Sequence, residues 1–390
     1  MKENTGAAAA GTVGSETAAQ ETKTDIKSLT LEELTAEVIA HGEKPFRAKQ
    51  LYQWMHQKLA RNYDEMTNLP KTFREKLARE YTYTSHTLVE RRVSAVDGTE
   101  KYLFGLSDGN VIESVLMRYH FGNSVCISSQ VGCRMGCRFC ASTIGGQTRN
   151  LLPSEMLDQV YAIQRLTGER VSHLVVMGTG EPLDNYDHLL RFIRLLSDEN
   201  GLHISQRNIT VSTCGLVEKI RDLAQERLQI TLALSLHASS QEKRKELMPV
   251  AYRYELGDVL DACRYYFEQT GRRITFEYSL VAGVNDSQEE AERLAKLLGG
   301  MNCHINLIPV NPIRERDYIQ PDHQVVIAFK NKLEKYGKTV SIRREMGRDI
   351  SGACGQLRKG YLEQAQQNRA VRDDACAGGK ESPASGTLPQ

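Results

Sequence analysis

From about residue 125 the chain alternates short apolar runs with amphipathic patterns of helical length, and this alternation restricts the fold more than any other feature. The apolar runs lie at residues 125–129, 173–177, 209–213, 230–236, 274–280 and 305–309. The helical patterns between them include residues 154–166, 186–197, 258–270 and 287–298. Repeated strand–helix units form a parallel sheet with right-handed crossovers. Six such units predict an α/β fold, an open and partial (βα)6 barrel.

The remaining segments differ from the barrel in composition. A capping box at Thr30 and Glu33 opens an amphipathic helical region. Turn signals at residues 97–98 and 108–109 separate apolar runs that read as antiparallel strands. The predicted units are a disordered tail at 1–25, a helical accessory domain at 26–88, a β-hairpin extension at 89–120, the barrel at 121–350, a glycine-containing loop at 351–362 and a second disordered tail at 363–390.

Three cysteines stand close together at the start of the predicted barrel. Cys133, Cys137 and Cys140 form a C-x3-C-x2-C motif in one loop. Iron–sulfur clusters are held by cysteine thiolates, and three ligands would leave the fourth iron of a 4Fe–4S cluster open for chemistry. A structural zinc site is normally completed by a second pair of ligands, and no such pair lies near this loop. The motif therefore favours an iron–sulfur cluster over zinc.

The composition indicates in which compartment the protein acts and which partners it can bind. The chain has 390 residues and a net charge of +1, so an RNA-binding surface would have to be a local patch. It has no signal-peptide pattern and no run of 18 apolar residues, and we expect a cytoplasmic protein without a membrane segment. In a reducing compartment its cysteines are expected to be ligands and catalytic thiols. Cys214, Cys263 and Cys303 lie in no motif and are expected to be structural.

Small polar residues follow several predicted strands, at the ends where (βα) barrels carry their chemistry. One of these ends is the turn Gly178-Thr-Gly-Glu-Pro182. Each residue alone is more often a helix cap or a satisfied polar group. Together they predict a ring around one ligand. The residues are Gly180, Glu181, Ser212, Ser235, Leu236, His237 and Asn311.

Two further features each allow two interpretations. Glu113 lies within an apolar run, so it either points to solvent on the alternating face of a strand or faces a pocket where it can act as a base. Near the N-terminus, Lys44, Arg47 and Lys49 are interleaved with aromatic residues such as Trp54, which suits an RNA surface. The same segment has the apolar spacing of a buried helix face. The apolar residues concerned are Phe46, Leu51, Tyr52 and Met55.

The cysteine motif, with Phe139 before its last cysteine, resembles that of the radical S-adenosylmethionine (SAM) superfamily. Beyond the motif, the chain resembles the RlmN family of adenine C2 methyltransferases over roughly residues 28–362. The segments that carry this resemblance are 42–52, 126–133, 178–185, 235–238 and 353–357. The sister family Cfr methylates C8 of the same ribosomal adenine. Residues 141–143 and 343–346 are more similar to RlmN than to Cfr.

This resemblance implies the cofactors. Cys133, Cys137 and Cys140 would hold one 4Fe–4S cluster with SAM on its open iron, inside the ring of polar residues. Two SAM molecules would be used per turnover, in a ping-pong sequence. Flavodoxin or ferredoxin would supply the electron, and we expect a monomer.

The resemblance also implies the catalytic residues and the substrates. Cys354 would accept a methyl group to become S-methylcysteine, Cys126 would release the product through a transient disulfide with Cys354, and Glu113 would accept the C2 proton. The substrates would be an adenosine in the peptidyl-transferase centre of 23S rRNA and the adenosine at tRNA position 37, beside the anticodon. The helical domain would hold RNA phosphates together with Arg343, Arg344 and Arg348.

Four other functions stay open at this stage, one of them a role in ribosome assembly that is independent of catalysis. A Cfr-like enzyme would methylate C8 of the ribosomal adenine. A radical SAM activase would install a glycyl radical on a protein and would need neither Cys126 nor Cys354. A binding module would use the cluster only for structure or redox sensing, and the cluster would not respond to SAM.

Overall fold

The structure is a computed structural model that describes residues 23–313, 316–350, 352, 356–358 and 360–363. Most of the predicted N-terminal tail, the predicted C-terminal tail and Cys354 lie outside these described residues. No described helix is long and apolar enough to cross a membrane.

The N-terminal unit consists of three helices, α1 (Leu31–Ala40), α2 (Phe46–His56) and α3 (Lys71–Glu80). The predicted capping box is present at the start of α1, because Thr30 and Glu33 each accept the backbone N–H of the other. Ordered structure begins before the predicted boundary at residue 26. Asp25 is buried and forms a β-bridge with Thr82, which ties the beginning of the unit to its end.

One residue expected in the core of α2 lies outside it. Leu51, Tyr52 and Met55 are buried as predicted, but Phe46 is about half exposed. Phe46 is the first residue of the helix, and the guanidinium of Arg47 lies 4.9 Å from the centroid of its ring. The buried positions of α2 begin only at Ala48.

A sheet of ten strands forms the centre of the molecule. Its strands, in spatial order, are β1 (Thr87–Val93), β2 (Glu100–Gly105), β3 (Val111–Tyr119), β4 (Gly122–Cys126), β7 (Val171–Val176), β8 (Ile209–Thr213), β9 (Thr231–Ser235), β10 (Ile274–Leu280), β11 (Cys303–Pro309) and β12 (Thr339–Ile342). Strands β1 to β4 pair antiparallel, and all pairs from β4 to β12 are parallel. A separate ribbon joins β5 (Gln130–Gly132) and β6 (Gln147–Asn150).

The α/β class and the open, mostly parallel sheet are confirmed. All six predicted barrel strands exist, and two of them, Ile209–Thr213 and Ile274–Leu280, have the predicted bounds. The run predicted at 125–129 is a correction, because β4 lies three residues earlier and ends at Cys126. The parallel part has seven strands rather than six, since β12 was not predicted. β12 is a short edge strand without a fully buried residue, so it lacks the apolar run that marks the others.

Within residues 122–342, seven helices follow the strands of the parallel part. They are α4 (Pro153–Thr167), α5 (Tyr186–Ser197), α6 (Val217–Gln225), α7 (Gln241–Leu247), α8 (Leu256–Thr270), α9 (Gln288–Leu297) and α10 (His323–Lys335). Their apolar faces join the strands in one continuous core. In β8 and β11 buried residues alternate with partly exposed ones. One face of the sheet therefore packs against helices, and the other stays open for a site.

Lys27 and Asp158 join the helical unit to α4 by a fully buried ion pair. Lys27 Nζ lies 3.1 Å from Asp158 Oδ1, and both side chains are inaccessible to solvent. Asp158 Oδ2 also accepts the backbone N–H of His86 at 2.6 Å. Burial by itself would raise the pKa of Asp158, but the charges of Lys27 and Arg165 together with the contacts to His86 outweigh it and hold that pKa at about 2.

We predict that Asp158→Asn lowers the free energy of unfolding by about 3–5 kcal/mol, because it leaves the buried Lys27 without its counter-charge. Asp222→Asn is the matched control, since its partner Lys219 is exposed, and should cost less than about 1 kcal/mol. Urea unfolding measures both. The contribution of Asp158 should be complete above about pH 4 and be lost as the pH falls towards about 2. Equal losses in the two variants would contradict the role of the pair.

Candidate active site

The loop that carries the three cysteines is held by backbone hydrogen bonds at both ends. The N–H of Cys133 donates to the carbonyl of Gly146 at 3.0 Å, next to the β5–β6 ribbon. The N–H of Arg138 donates to the carbonyl of Leu247 at 2.9 Å, at the end of α7. The shape of the loop is therefore fixed by the protein backbone.

The three thiols fit an iron–sulfur cluster. Cys133 and Cys137 are buried and Cys140 is half-buried. Burial raises the pKa of the Cys133 thiol to about 12, and the nearby Glu181 and Cys140 act in the same direction. No three His, Cys, Asp or Glu side chains among the described residues converge on a single metal ion. A cluster places each thiolate on a different iron, so its ligands need no such convergence, and soft thiolates are the donors it requires.

A cavity of about 350 Å³ lies beside the cysteine loop. Phe139 and Cys140 form its wall on the side of the loop, and Cys126 at the end of β4 forms the adjacent wall. Asn311 lies on the opposite side, just after β11. The cavity thus brings together four residues that are separated by up to 185 positions in the sequence.

The mouth of this cavity is basic. Arg343, Arg344 and Arg348 are exposed and line it, and Glu345 is the one carboxylate among its described lining residues. The segment that carries them is attached to the turn between β1 and β2, where the N–H of Gly347 donates to Asp97 Oδ2 at 2.9 Å.

The residues on either side of Cys354 border the same cavity. Gly352 and Gln356 both line it. Cys354 itself lies outside the described residues. No disulfide links two described cysteines, and the predicted pairing of Cys126 with Cys354 stays a prediction.

Glu113 is buried, so the solvent-facing interpretation is wrong. Its carboxylate lies 3.2 Å from Nζ of Lys101, which is also buried, and accepts the backbone N–H of Arg358. Side chains two residues apart share one face of a strand, and Val115 and Met117 on that face line the cavity. Glu113 therefore lies on the strand face that borders the cavity.

Cys126 is positioned by the pairing of β3 with β4. It lies opposite Val115 in the register of these strands. It is buried and packs with Val115 and Met117 in a small apolar cluster beside the cavity. The strand register thus sets the position of Cys126 relative to Glu113, two residues before Val115.

The glycine turn after β7 is tightly packed. Gly180 has a φ of +115°, and a Cβ on it would lie 2.7 Å from both Gln130 Cβ and Ser129 Oγ. The carboxylate of Glu181 accepts the N–H of Cys214 at 2.7 Å and that of Leu183 at 3.1 Å. Burial raises the pKa of Glu181. In this structure the two residues hold the turn and connect it to the end of β8.

Leu236 and His237 form the turn after β9. The side chain of Leu236 is fully buried, and its N–H donates to the carbonyl of Glu277 at 3.0 Å. Nδ1 of His237 accepts the N–H of Ser279 at 2.9 Å, and the ring contacts Phe139 of the cysteine loop with centroids 4.7 Å apart. Burial lowers the pKa of His237 to about 3, so the ring is neutral.

A row of polar side chains crosses the sheet at the level of Ser235. Glu277 pairs in register with Ser235 and with Asn306, and Asn306 pairs with Ser341. Asn306 Nδ2 donates to Glu277 Oε2 at 2.8 Å. Ser212 lies 3.5 Å from Ser235 at the other end of the row. Sequence reasoning missed Glu277 and Asn306. The available signal was a polar residue at every second position within otherwise apolar strands.

We predict that Gly180→Ala destabilises the protein by about 1–3 kcal/mol more than Gly109→Ala, because only the first introduces a clash. Both glycines have positive φ, but no atom lies within 4 Å of a Cβ on Gly109. Thermal or urea unfolding of the two variants measures the difference. Losses of equal size would show that the close packing of the turn contributes nothing beyond backbone conformation.

Comparisons with known proteins agree with this arrangement. Residues 127–298 match the family described as radical SAM superfamily, and residues 24–82 match the "Ribosomal RNA large subunit methyltransferase N-terminal domain". A crystal structure of a radical SAM methyltransferase from Sphaerobacter thermophilus is 45% identical, with a TM-score of 0.82 over 85% of this chain and 98% of that one. The fold and the cysteine loop thus define a radical SAM enzyme.

Curated relatives show to which family within the superfamily the chain belongs. A protein of Lachnospira eligens named "Probable dual-specificity RNA methyltransferase RlmN" is 64% identical over 88% of this chain and 99% of its own length. Its counterpart in Clostridium novyi is 52% identical over 87% and 98%. The chain belongs to the RlmN family of dual-specificity RNA methyltransferases. Membership of the radical SAM superfamily implies a 4Fe–4S cluster and SAM.

Proposed function

We propose that this enzyme forms 2-methyladenosine in the peptidyl-transferase centre of 23S rRNA and at position 37 of tRNA. The observation that supports the proposal most strongly is the composition of one cavity. Cys126, Cys140 and the two described neighbours of Cys354, Gly352 and Gln356, all line it. A single base entering this cavity would meet both proposed catalytic thiols and the cluster loop.

The chemistry of adenine explains why a cluster is needed. C2 is an aromatic carbon whose C–H is neither acidic nor nucleophilic, so polar attack on the methyl group of SAM is not available there. Cys133, Cys137 and Cys140 would hold the 4Fe–4S cluster, which supplies, when bound, the one-electron cleavage of SAM that gives a 5′-deoxyadenosyl radical.

The two thiols outside the cluster have separate roles in the proposal. Cys354, as a thiolate, takes a methyl group from one SAM and becomes S-methylcysteine. A second SAM is consumed to remove a hydrogen atom from this S-methyl group. The carbon of the group, now a radical, adds to C2 of the adenine. Cys126 then attacks the sulfur of Cys354, so that an S–S bond forms as the bond between that sulfur and the methylene carbon breaks. The carbon takes up a proton and remains on C2 as the methyl group, and the surplus electron of the radical adduct would return to the cluster. The wall position of Cys126 beside the cavity supports this role.

Glu113 is the proposed acceptor of the C2 proton. A buried carboxylate is costly unless it is paired and hydrogen-bonded. Lys101 provides the counter-charge at 3.2 Å, and the N–H of Arg358 provides a hydrogen bond. These two contacts fix the carboxylate on the strand face that borders the cavity, where it could accept the released proton.

The SAM site in the proposal follows the ring of strand ends. The ring consists of Gly180, Glu181, Ser212, Ser235, Leu236, His237 and Asn311. Glu181 and Leu236 are occupied with the backbone in the described structure, so Ser212, Ser235 and Asn311 are the proposed side-chain contacts. The polar row that contains Glu277 and Asn306 extends this hydrophilic face across the sheet.

RNA is proposed to enter through the basic mouth. A target base must be unstacked to reach the cavity, and Arg343, Arg344 and Arg348 at its rim can hold the flanking phosphates. In the helical unit Lys44 and Lys49 are exposed and are proposed to extend this surface. Flavodoxin or ferredoxin as electron donor, a monomeric state and a cytoplasmic location complete the proposal.

We predict that anaerobic incubation with a reconstituted cluster, a reductant and methyl-labelled SAM places a methyl group on Cys354 and yields 2-methyladenosine in RNA. Mass spectrometry of protein and nucleosides measures both. Cys354→Ala should abolish both signals, because it removes the methyl acceptor. Cys303→Ala, at the start of β11 away from the cavity lining, should retain them.

Other outcomes of this experiment identify the other functions. Formation of 8-methyladenosine would indicate Cfr-like regiochemistry with the same residue roles. Cleavage of SAM without any change in RNA, retained in Cys354→Ala, would indicate an activase that acts on a protein. A cluster whose spectrum does not respond to SAM would indicate a binding module.

A second prediction tests the RNA surface. The double charge reversal Arg344→Glu and Arg348→Glu should weaken RNA binding at least tenfold and reduce the dependence of affinity on salt, because phosphate contacts are lost. Reversal of Arg264 and Lys296 makes the same charge change on exposed positions of α8 and α9 and serves as control. Unchanged affinity and salt slope in the first variant would contradict the proposed entry.

A further inference from the structure

Arg244 on α7 is the largest side chain that is fully buried in the described structure. One of its nitrogens, Nη2, donates to the carbonyl of Cys214 at 2.6 Å. The other two, Nε and Nη1, are buried without a hydrogen-bond partner among the described residues. No described carboxylate forms an ion pair with it. A buried cation without a counter-charge is strongly disfavoured, so this arrangement requires an explanation.

The C-terminal end of α7, the helix that carries Arg244, lies against the cysteine loop. The carbonyl of Leu247, three residues further along α7, accepts the N–H of Arg138 between two of the loop cysteines. A Cβ on Gly136 would lie 3.4 Å from Pro249, which follows the same helix. The thiols of Cys214, Cys137 and Cys263 are near enough to interact electrostatically with Arg244.

The surroundings leave room for the guanidinium and offer no competing anion. Gly215 has a φ of +101°, and a Cβ on it would lie only 3.1 Å from Nη2 of Arg244. His237, the other titratable group affected by Arg244, is neutral because burial and the charge of Arg244 lower its pKa to about 3. The carboxylate of Glu181 accepts backbone N–H groups of Cys214 and Leu183 instead.

We propose that Arg244 is the internal counter-cation of the iron–sulfur cluster, donating its unpaired N–H groups to cluster sulfur and raising the reduction potential. This inference rests on the cluster proposed above. Three thiolates and a 4Fe–4S core with two positive charges leave one net negative charge, and one electron from an external donor adds a second. A fixed cation stabilises the more negative state, and hydrogen bonds to cluster sulfur act in the same direction.

Arg244 is therefore a positioning and tuning residue that acts through the cluster. The cost of burying it is offset only when the cluster is present. Two consequences distinguish this role from simple packing. The potential of the cluster depends on the charge at position 244, and the effect of removing that charge on stability differs between the metal-free and the loaded protein.

The experiment compares Arg244→Met, Arg244→Lys and Arg253→Met after anaerobic cluster reconstitution. Arg253 is exposed and lines the same surface cavity as Met135 of the cysteine loop, so Arg253→Met removes the same charge from a solvent-exposed position near the loop. EPR-monitored redox titration without SAM measures the potential. Iron and sulfide analysis measures cluster content, and thermal unfolding compares the metal-free and loaded forms.

We expect Arg244→Met to lower the ratio of reduced to oxidised cluster about tenfold at a given applied potential. For a one-electron couple this corresponds to a reduction potential that is lower by about 59 mV. Arg244→Lys keeps the charge and should recover most of that loss. Arg253→Met should change the ratio less than about twofold, because water screens its charge. Arg244→Met should lower the unfolding temperature of the loaded protein and leave that of the metal-free protein unchanged or raised.

An unchanged potential in Arg244→Met at full iron content would overturn the inference. Equal destabilisation of the metal-free and loaded forms would also overturn it, since that is the behaviour of a packing residue. If Arg244→Met takes up no cluster, Arg244→Gln takes its place in the titration, because it also removes the charge, and the same criterion applies. Wild-type protein that assembles no SAM-responsive cluster would instead refute the proposed function itself.

Discussion

The antiparallel pairing of β3 with β4 is the constraint on which the site depends. β4 is the first parallel strand of the sheet and ends at Cys126, and its register with β3 sets Val115 opposite that cysteine. The same register fixes Glu113 two residues away on the same face. The turn between β1 and β2 then holds Gly347, so the basic segment reaches the cavity mouth. A parallel barrel without this extension would lack one wall of the cavity.

Three arrangements of buried charges in this protein differ in how the charges are paired and hydrogen-bonded. Lys27 and Asp158 form a closed pair that joins two units and needs nothing from a ligand. Lys101 and Glu113 form a pair on the face that borders the cavity, where the carboxylate also has a backbone donor. Arg244 has only one of its three nitrogens hydrogen-bonded in the described structure. The first arrangement serves stability, the second holds the proposed proton acceptor, and the third is accounted for by the proposed cluster.

Sequence reasoning predicted what is local and missed what depends on packing. The cysteine motif, the capping box at Thr30 and the central strands are signals within a few residues, and all are present. The edge strand β12 and the ribbon β5–β6 are too short to show a period. Glu277 and Arg244 carry no motif. Their surroundings arise from strands and loops far apart in the sequence, so only the folded chain reveals them.

The central claim is that one cavity brings an adenine base between Cys126 and the residues around Cys354. The most direct measurement uses Cys126→Ala with SAM, reductant and substrate RNA, followed by denaturing electrophoresis and mass spectrometry of the digest. The account predicts a covalent protein–RNA adduct on the peptide that contains Cys354, because the thiol that releases the product is missing. The double variant with Cys354→Ala should form none. Undiminished release of methylated RNA by Cys126→Ala, without an adduct, would contradict the account.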